Sequence, residues 1–542
     1  MSIELPANLP RTGRPRCPHF GTCGGCALQD IEYADQVQAK ATALRNLLGV
    51  DVPVEPSPLP YNYRYKMEYV AAFGKLGFRR SGDYRQVVDL RECHLVTPRV
   101  SELLEDLHGW MDEFGVEGYD YLRHRGDLRY VVTREAFSAN DPQHRQDATD
   151  AEEAMNDNDS GNPAAGQGAL TRQPNEACPS PLDSMRSLGA PGMAPGNSQL
   201  MVTLVTAGEQ TRVGPLLERL AQKAESVVWA VNPDITDVAW GRVQRIIGLP
   251  HIRQKVGPFE FVLGPQSFFQ NNLLLVEAMF DEIASHVSGR VLDLFCGVGS
   301  IGIYCSQKAA EVMGVDSVPE SIDLARRNAE RNGLTSGVSR LGAAGSLSAR
   351  ARTGRPLDGA RDPRPPVAPD TERTGTGPRF RFVAQDADDF LRSYAGPVPD
   401  TVIVDPPRRG LSPRLIRKLL RLGPGRIVYV SCNPRAFAAD LPRMPNYRLA
   451  SVRAFDMFPQ TPHVELVALL ERVAYPPLRG LDPMERVKRP LPRRTECAIC
   501  FDRKRGRALR EASGPAPHGG QGKQAQEAVG ESRNDSHGSS RR

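Results

Sequence analysis

Three groups of residues in this 542-residue chain have types and spacings suited to chemistry. In Val428-Tyr-Val-Ser-Cys432-Asn-Pro, a cysteine stands just past a run of strand formers and just ahead of a helix-like segment. A thiolate there is a potential nucleophile, and the dipole at the start of the following helix is expected to lower its pKa. Asp405-Pro-Pro closes the neighbouring strand-like run in the same way, its two prolines stiffening the turn that carries the carboxylate. His463-Val-Glu465 opens the last such run, and period-two geometry places His463 and Glu465 on one face. A carboxylate near a thiol can move protons. Taken singly, Cys432 reads equally well as a buried structural cysteine and Glu465 as a solvated strand end.

A second group is the loop Asp293-Leu-Phe-Cys-Gly297-Val-Gly299-Ser300, between a strand-like and a helix-like run. Its glycines allow the backbone to approach a ligand closely, and Asp316, closing the next strand, can bind both hydroxyls of a ribose. The third glycine of the dinucleotide fingerprint is missing, and an acid ends the preceding strand. That combination favours S-adenosylmethionine over a nicotinamide dinucleotide.

The third group is Cys17-x5-Cys23-x2-Cys26 with the remote Cys93. Four thiolates can hold a zinc ion or a [4Fe–4S] cube. Three close cysteines and one distant one suit the cube better than the paired knuckles common at zinc. Cys178 and the Cys497/Cys500 pair lack partners of this kind.

The elements that must position these groups alternate regularly in the C-terminal half. Strand-like runs at 291–295, 311–315, 380–384, 401–404 and 426–430 alternate with helix-like runs at 301–307, 319–332, 387–393, 413–420 and 436–441. Runs at 447–455 and 463–470 close the series as strands. This is an α/β pattern, a doubly wound Rossmann-like sheet with helices on both faces. It is preceded by a mainly antiparallel α+β region. Residues 138–198 (acidic), 335–378 (rich in Gly, Pro and Arg) and the basic tail lack periodicity and apolar content, and are expected to be disordered. The expected organisation is a cluster segment (1–47), a central α+β domain containing Cys93 (48–263), a catalytic domain (264–475) and a tail (476–542).

With those motifs in view, the chain resembles the RNA uracil-C5 methyltransferases. DLFCGVGSIG, VDPPRRGL, VSCNPRAFAADL, HVELVALLER and GPQSFFQNN carry the likeness, and CPHFGTCGGC is similar to the iron–sulfur rRNA branch. The resemblance implies a class I methyltransferase fold and methyl transfer from S-adenosylmethionine to C5 of a uridine. It makes Cys432 the nucleophile that adds to C6 and Glu465 the base that removes the C5 proton. Gln270, Phe295, Ser300, Asp316, Asp386 and Asp405 match cofactor-contacting positions, although Ser300 stands where asparagine is common and Asp316 where glutamate is common. Cys17, Cys23, Cys26 and Cys93 match the ligands of a [4Fe–4S] cluster. The target base would be flipped out of its stack.

The cluster cysteines favour 23S rRNA as substrate, with tRNA as the alternative. Arg408, where cytosine-C5 enzymes carry a cysteine, disfavours cytosine. A catalytically inactive RNA-binding or assembly factor is a different class of reading, opposed by the intact Cys432 and Glu465. Only sixteen residues precede Cys17, too few for the oligonucleotide-binding barrel many relatives carry there. RNA contacts are therefore expected from the central region, where Tyr61-Asn-Tyr-Arg-Tyr-Lys66 and Gly77-Phe-Arg-Arg80 interleave aromatics with bases.

Mean hydropathy is −0.41 and the chain has no 18-residue apolar run, so no membrane span is expected. No secretory leader is evident. A cytoplasmic monomer is the expectation. The net charge of +5 says little about partners.

Overall fold

The computed structural model describes residues 3–137, 198–209, 211–334 and 379–473. Apart from Ser198, the expected disorder of 138–198, 335–378 and the tail, and the readings of Cys178, Cys497 and Cys500, lie outside the described residues.

In chain order, the first part contains α1 (Tyr33–Leu48), β1 (Val54–Glu55), β2 (Lys66–Ala72), β3 (Lys75–Arg80), β4 (Asp83–Asp89) and α2 (Pro98–Phe114). It continues with β5 (Leu128–Ala136), β6 (Gln199–Thr206), α3 (Gly214–Leu220), β7 (Ser226–Val231) and β8 (Arg242–Gly248). Strands β2–β8 form a seven-stranded sheet in the order β4-β3-β2-β5-β6-β7-β8, antiparallel except for β6 beside β7. Strands β5 and β6 lie on either side of the acidic stretch in the sequence and pair with each other directly. Helices α2 and α3 cover one face, burying Leu103, Leu104, Leu107, Leu216 and Leu217.

The second part begins with the hairpin β9 (Ile252–Val256) and β10 (Phe259–Leu263), followed by α4 (Val276–Ser285), β11 (Gly289–Leu294), α5 (Ser300–Tyr304), β12 (Ala309–Asp316) and α6 (Pro319–Arg331). After the second stretch outside the described residues come β13 (Arg379–Ala384), α7 (Ala387–Ser393), β14 (Thr401–Val404), α8 (Pro413–Leu422), β15 (Arg426–Ser431), α9 (Pro434–Asp440), β16 (Tyr447–Phe455) and β17 (Glu465–Arg472). They form an eight-stranded sheet ordered β1-β16-β17-β15-β14-β11-β12-β13. Strands β11–β15 run parallel, and β17 is antiparallel to both of its neighbours. The central strands read as continuous apolar runs because both faces are covered. Every residue of β14 is buried. Helices α4, α5 and α6 pack on one face and α1, α7, α8 and α9 on the other.

Helix α1 and strand β1 belong to this sheet, with β1 pairing parallel to β16 (Val54 opposite Ala454). The sequence had grouped residues on either side of position 47 with the cysteine segment and the central region. The strand order reverses direction between β11 and β14. In an open parallel sheet, the crevice beyond the carboxyl ends of the strands at such a switch is where ligands bind.

Candidate active site at the switch point

The chain leaves β11 through Phe295, whose φ of 68° is unusual for a residue with a Cβ. The expected strand end at Phe295 is therefore the first residue of the loop. Gly297 and Gly299 also have positive φ. A Cβ on Gly299 would meet Ala325 and Phe382 at 3.1 Å, so a glycine is needed for this loop to lie against α6 and β13. The Gly297 N–H donates to Asp316 Oδ2 (3.0 Å) and the Val318 N–H to Asp316 Oδ1 (2.9 Å), fixing the carboxylate at the carboxyl end of β12. Asp386 is exposed and caps α7, accepting from the N–H groups of Asp388 and Asp389. Ser300 is half-buried at the first position of α5, and Gln270 is buried between β10 and α4.

Cys432, Asp405 and Glu465 stand at the same edge of three adjacent strands, β15, β14 and β17. Ser431 pairs with Leu466 in the antiparallel ladder, so the next step places Cys432 opposite Glu465. The Cys432 turn is fixed by the Asn433 N–H donating to Ser431 Oγ (3.2 Å). Asn433 Nδ2 reaches the Arg408 carbonyl at 2.7 Å, tying this turn to the Asp405-Pro-Pro turn.

The electrostatics differ from the expected activated thiol. Burial, then the charges of Glu465 and Asp405, push the Cys432 pKa up to about 11, and Arg408 opposes the rise. The helix that follows has only seven residues, with Cys432 lying before its cap, and its dipole does not prevail. Glu465 is raised well above the usual carboxylate range by burial and by Asp405, and Asp405 is raised by burial to about 7. His463 does not share a strand face with Glu465, because β17 begins only at Glu465. It lies in the preceding turn with its ring edge-on to Phe458, and burial and nearby cations lower its pKa to about 4.

Phe269 is core, between Tyr65 and Phe261, whereas Phe268 is 63% exposed. Lys418 pairs with Asp388 at 3.1 Å, while Arg408, Arg409, Arg414 and Arg417 are exposed.

Away from this site, Cys17, Cys23, Cys26 and Cys93 line one cavity with Gln29, Glu92 and His94. All four are free thiols. Burial raises each, Cys26 to about 11 and Cys93 to about 12, and the neighbouring cysteines add to the rise at Cys17, Cys26 and Cys93. Among the described residues, no group of three or more His, Cys, Asp or Glu side chains has the geometry of a metal site.

A family model described as tRNA (Uracil-5-)-methyltransferase matches residues 382–473, and a methyltransferase-domain model matches 285–348. The tRNA (uracil(54)-C(5))-methyltransferase of Pyrococcus abyssi is 30% identical over 86% of this chain and 88% of its own. The chain belongs to the RNA uracil-C5 methyltransferase family. An uncharacterised RNA methyltransferase of Caldanaerobacter subterraneus subsp. tengcongensis is 29% identical over 87% of both chains. The crystal structure of the P. abyssi enzyme with S-adenosyl-L-homocysteine aligns with a TM-score of 0.57 at 28% identity, covering 83% of this chain and 86% of that one. This protein is accordingly an S-adenosylmethionine-dependent RNA uracil-C5 methyltransferase with the mixed α/β fold of that class.

Within this methyltransferase, two features escaped the sequence reading. Asp293 was noted only as part of a loop signature. It is fully buried, and burial together with the Asp405 charge raises its pKa to about 8. Its Oδ2 accepts from the Gly302 N–H at 3.1 Å, and its Oδ1 has no partner. An acid ending an otherwise apolar strand was the available signal. The second feature is the Asp456–Val464 segment before Glu465, which is held by residues some four hundred positions earlier, Lys40–Asp456 being a fully buried pair at 2.6 Å. No local pattern announces such a contact. Among the described residues, no helix is long and apolar enough to cross a membrane.

Proposed function

We propose that Cys432 is the nucleophile and Glu465 the base, and that the substrate uridine lies in tRNA. The observation carrying the first part is the convergence of Cys432, Asp405 and Glu465 at adjacent strand ends beside the cofactor loop. The Cys432 thiol titrates far above neutral, so its proton must pass to a group within the site, and Asp405, raised to about 7, would accept it. Cys432 Sγ then bonds to C6 of the flipped uracil, and the C5=C6 π electrons move toward O4 as an enolate. The loop from Phe295 to Ser300 with Asp316 would hold S-adenosylmethionine, which when bound would supply the methyl group to C5, its S–CH3 bond breaking to leave S-adenosylhomocysteine. Glu465 takes the proton from C5, the Sγ–C6 bond breaks, and the C5=C6 double bond is restored. Gln270, Asp386 and Asp405 complete the proposed cofactor contacts.

The tRNA assignment rests on the relatives named for uracil 54 of tRNA. The four-cysteine cavity supports 23S rRNA as the second reading, through its similarity to the rRNA branch. The same four thiols fit a [4Fe–4S] cluster by donor chemistry, since buried thiols that raise one another's pKa would be stabilised as thiolates by bound iron. Such a cluster would pin the N-terminal segment to Cys93.

The test supplies labelled S-adenosylmethionine with unmodified tRNA and 23S rRNA transcripts. Label is expected at C5 of a tRNA uridine, lost in Cys432→Ala, with an SDS-stable RNA adduct accumulating in Glu465→Gln. Label confined to the rRNA refutes the tRNA reading, and a normally active Cys432→Ala refutes the nucleophile. Anaerobically prepared protein should be brown and bleach in Cys93→Ser; colourless protein containing zinc would overturn the cluster.

A further inference from the structure

We infer that Gln36 and Gln460 form a brace that positions Glu465 for proton removal. This rests on the reading of Glu465 as the base.

Glu465 is delivered by the turn after β16, and five residues before it stands Gln460. Gln460 is a buried residue with a φ of 65°, a left-handed conformation that a side chain disfavours. Such a conformation persists only where its surroundings over-determine it, and here they do. The Gln460 N–H donates to Gln36 Oε1 (3.1 Å), and Gln36 Nε2 donates to Gln460 Oε1 (2.9 Å). The Gln460 carbonyl accepts from the N–H groups of Ala27 (2.9 Å) and Leu28 (3.1 Å). Gln36 Nε2 also reaches the carbonyls of Leu28 and Ile31, so one amide ties α1, the 27–31 turn and the catalytic turn together. Tyr63 Oη donates to the Pro459 carbonyl (3.0 Å), and Lys40 pairs with Asp456.

Every one of these partners comes from residues before 64, and Ala27 follows Cys26 directly. The brace therefore links the cysteine-bearing segment to the base. The side-chain hydrogen bonds of Gln36 go to Leu28, Ile31 and Gln460, so its action is through the placement of Glu465.

Removal of the C5 proton comes after methyl transfer, so a misplaced Glu465 slows release and leaves earlier steps intact. The experiment compares full-length Gln36→Ala, Gln460→Gly and Glu465→Gln with the wild type, using labelled S-adenosylmethionine and the tRNA and 23S rRNA transcripts. Glycine accepts the left-handed φ, so Gln460→Gly removes the side-chain clasp without adding backbone strain. For both brace variants, kcat is expected to fall by about tenfold, with KM for RNA changed by less than about threefold. The methylated covalent adduct should rise toward the Glu465→Gln level. A tenfold loss is about 1.4 kcal/mol of barrier.

If Gln36→Ala does not fold, Gln460→Gly gives the reading. Wild-type kcat in the brace variants, or lost activity without adduct, overturns the brace while an adduct in Glu465→Gln keeps the base. Absence of adduct in Glu465→Gln, with normal turnover, overturns the base and the brace with it.

Discussion

Replacing Lys40 with methionine leaves Asp456 buried without its cation. Both side chains are fully buried, and Nζ lies 2.6 Å from Oδ1, the length of a charge-assisted hydrogen bond. Burial pushes both groups toward neutrality, lowering Lys40 and raising Asp456, and each opposes that shift in the other. Removing one partner of such a pair typically costs about 3–5 kcal/mol, whereas replacing both with apolar groups of similar volume is often neutral or stabilising. Lys40→Met should therefore lose about 3–5 kcal/mol near pH 8, and Lys40→Met with Asp456→Leu should recover most of it. The deficit should also depend on pH. Without Lys40, the folded-state pKa of Asp456 rises further above the unfolded value near 4, so the folded variant holds a proton that the unfolded chain releases. Its stability then falls as pH rises from about 4 toward the folded pKa, by up to about 1.4 kcal/mol per unit. The deficit should be largest at pH 8 and smallest near pH 5. Urea unfolding followed by circular dichroism from pH 5 to pH 8 measures this directly. A deficit under about 1 kcal/mol and flat with pH, or a double variant no better than the single one, would refute the reasoning.

Gly314→Ala places a Cβ 2.5 Å from the Phe382 ring and 2.9 Å from Cys296 Sγ. Overpacking of this kind costs about 1–3 kcal/mol, and since Cys296 is part of the cofactor loop, affinity for S-adenosylmethionine should fall as well. Wild-type urea stability and an unchanged cofactor titration would contradict it. Asp293 and Asp405, raised to about 8 and about 7, hold protons in the fold that the unfolded chain releases. They contribute a decline in stability between about pH 4 and pH 8 in the cofactor-free enzyme. Asp293→Asn should flatten that decline, and an unaltered pH profile would show that Asp293 does not titrate there.

The sequence exposed most of the catalytic sheet because buried parallel strands are short apolar runs punctuated by their functional ends. Thr401–Val404 and Ala387–Ser393 match the observed elements residue for residue. Cys432, Asp405 and Asp316 were legible because each ends such a run. What depended on distant partners was not. Period-two counting placed His463 on β17, but the left-handed Gln460 and the turn it shapes delay the strand until Glu465. The helix dipole suggested a depressed thiol, but two carboxylates from other strands and burial outweigh a seven-residue helix. The place of α1 and β1 on the catalytic sheet has no local signature, since β1 is two residues long and its partner lies near position 454.

That same edge of the sheet has a consequence for synthesis. Lys40 and Asp456 are separated by 416 residues. At about 5–20 residues per second, α1 leaves the ribosome roughly 20–80 s before its partner has been made. For that interval Lys40 has no carboxylate to pair with and β1 has no β16 to join, although the strands β11–β15 that share a core with Ala43, Leu44 and Leu48 are made earlier. The catalytic sheet therefore cannot finish folding from its amino end. It must close late, on a segment made first, and in nascent chains ending before Tyr447 β1 should remain open to protease.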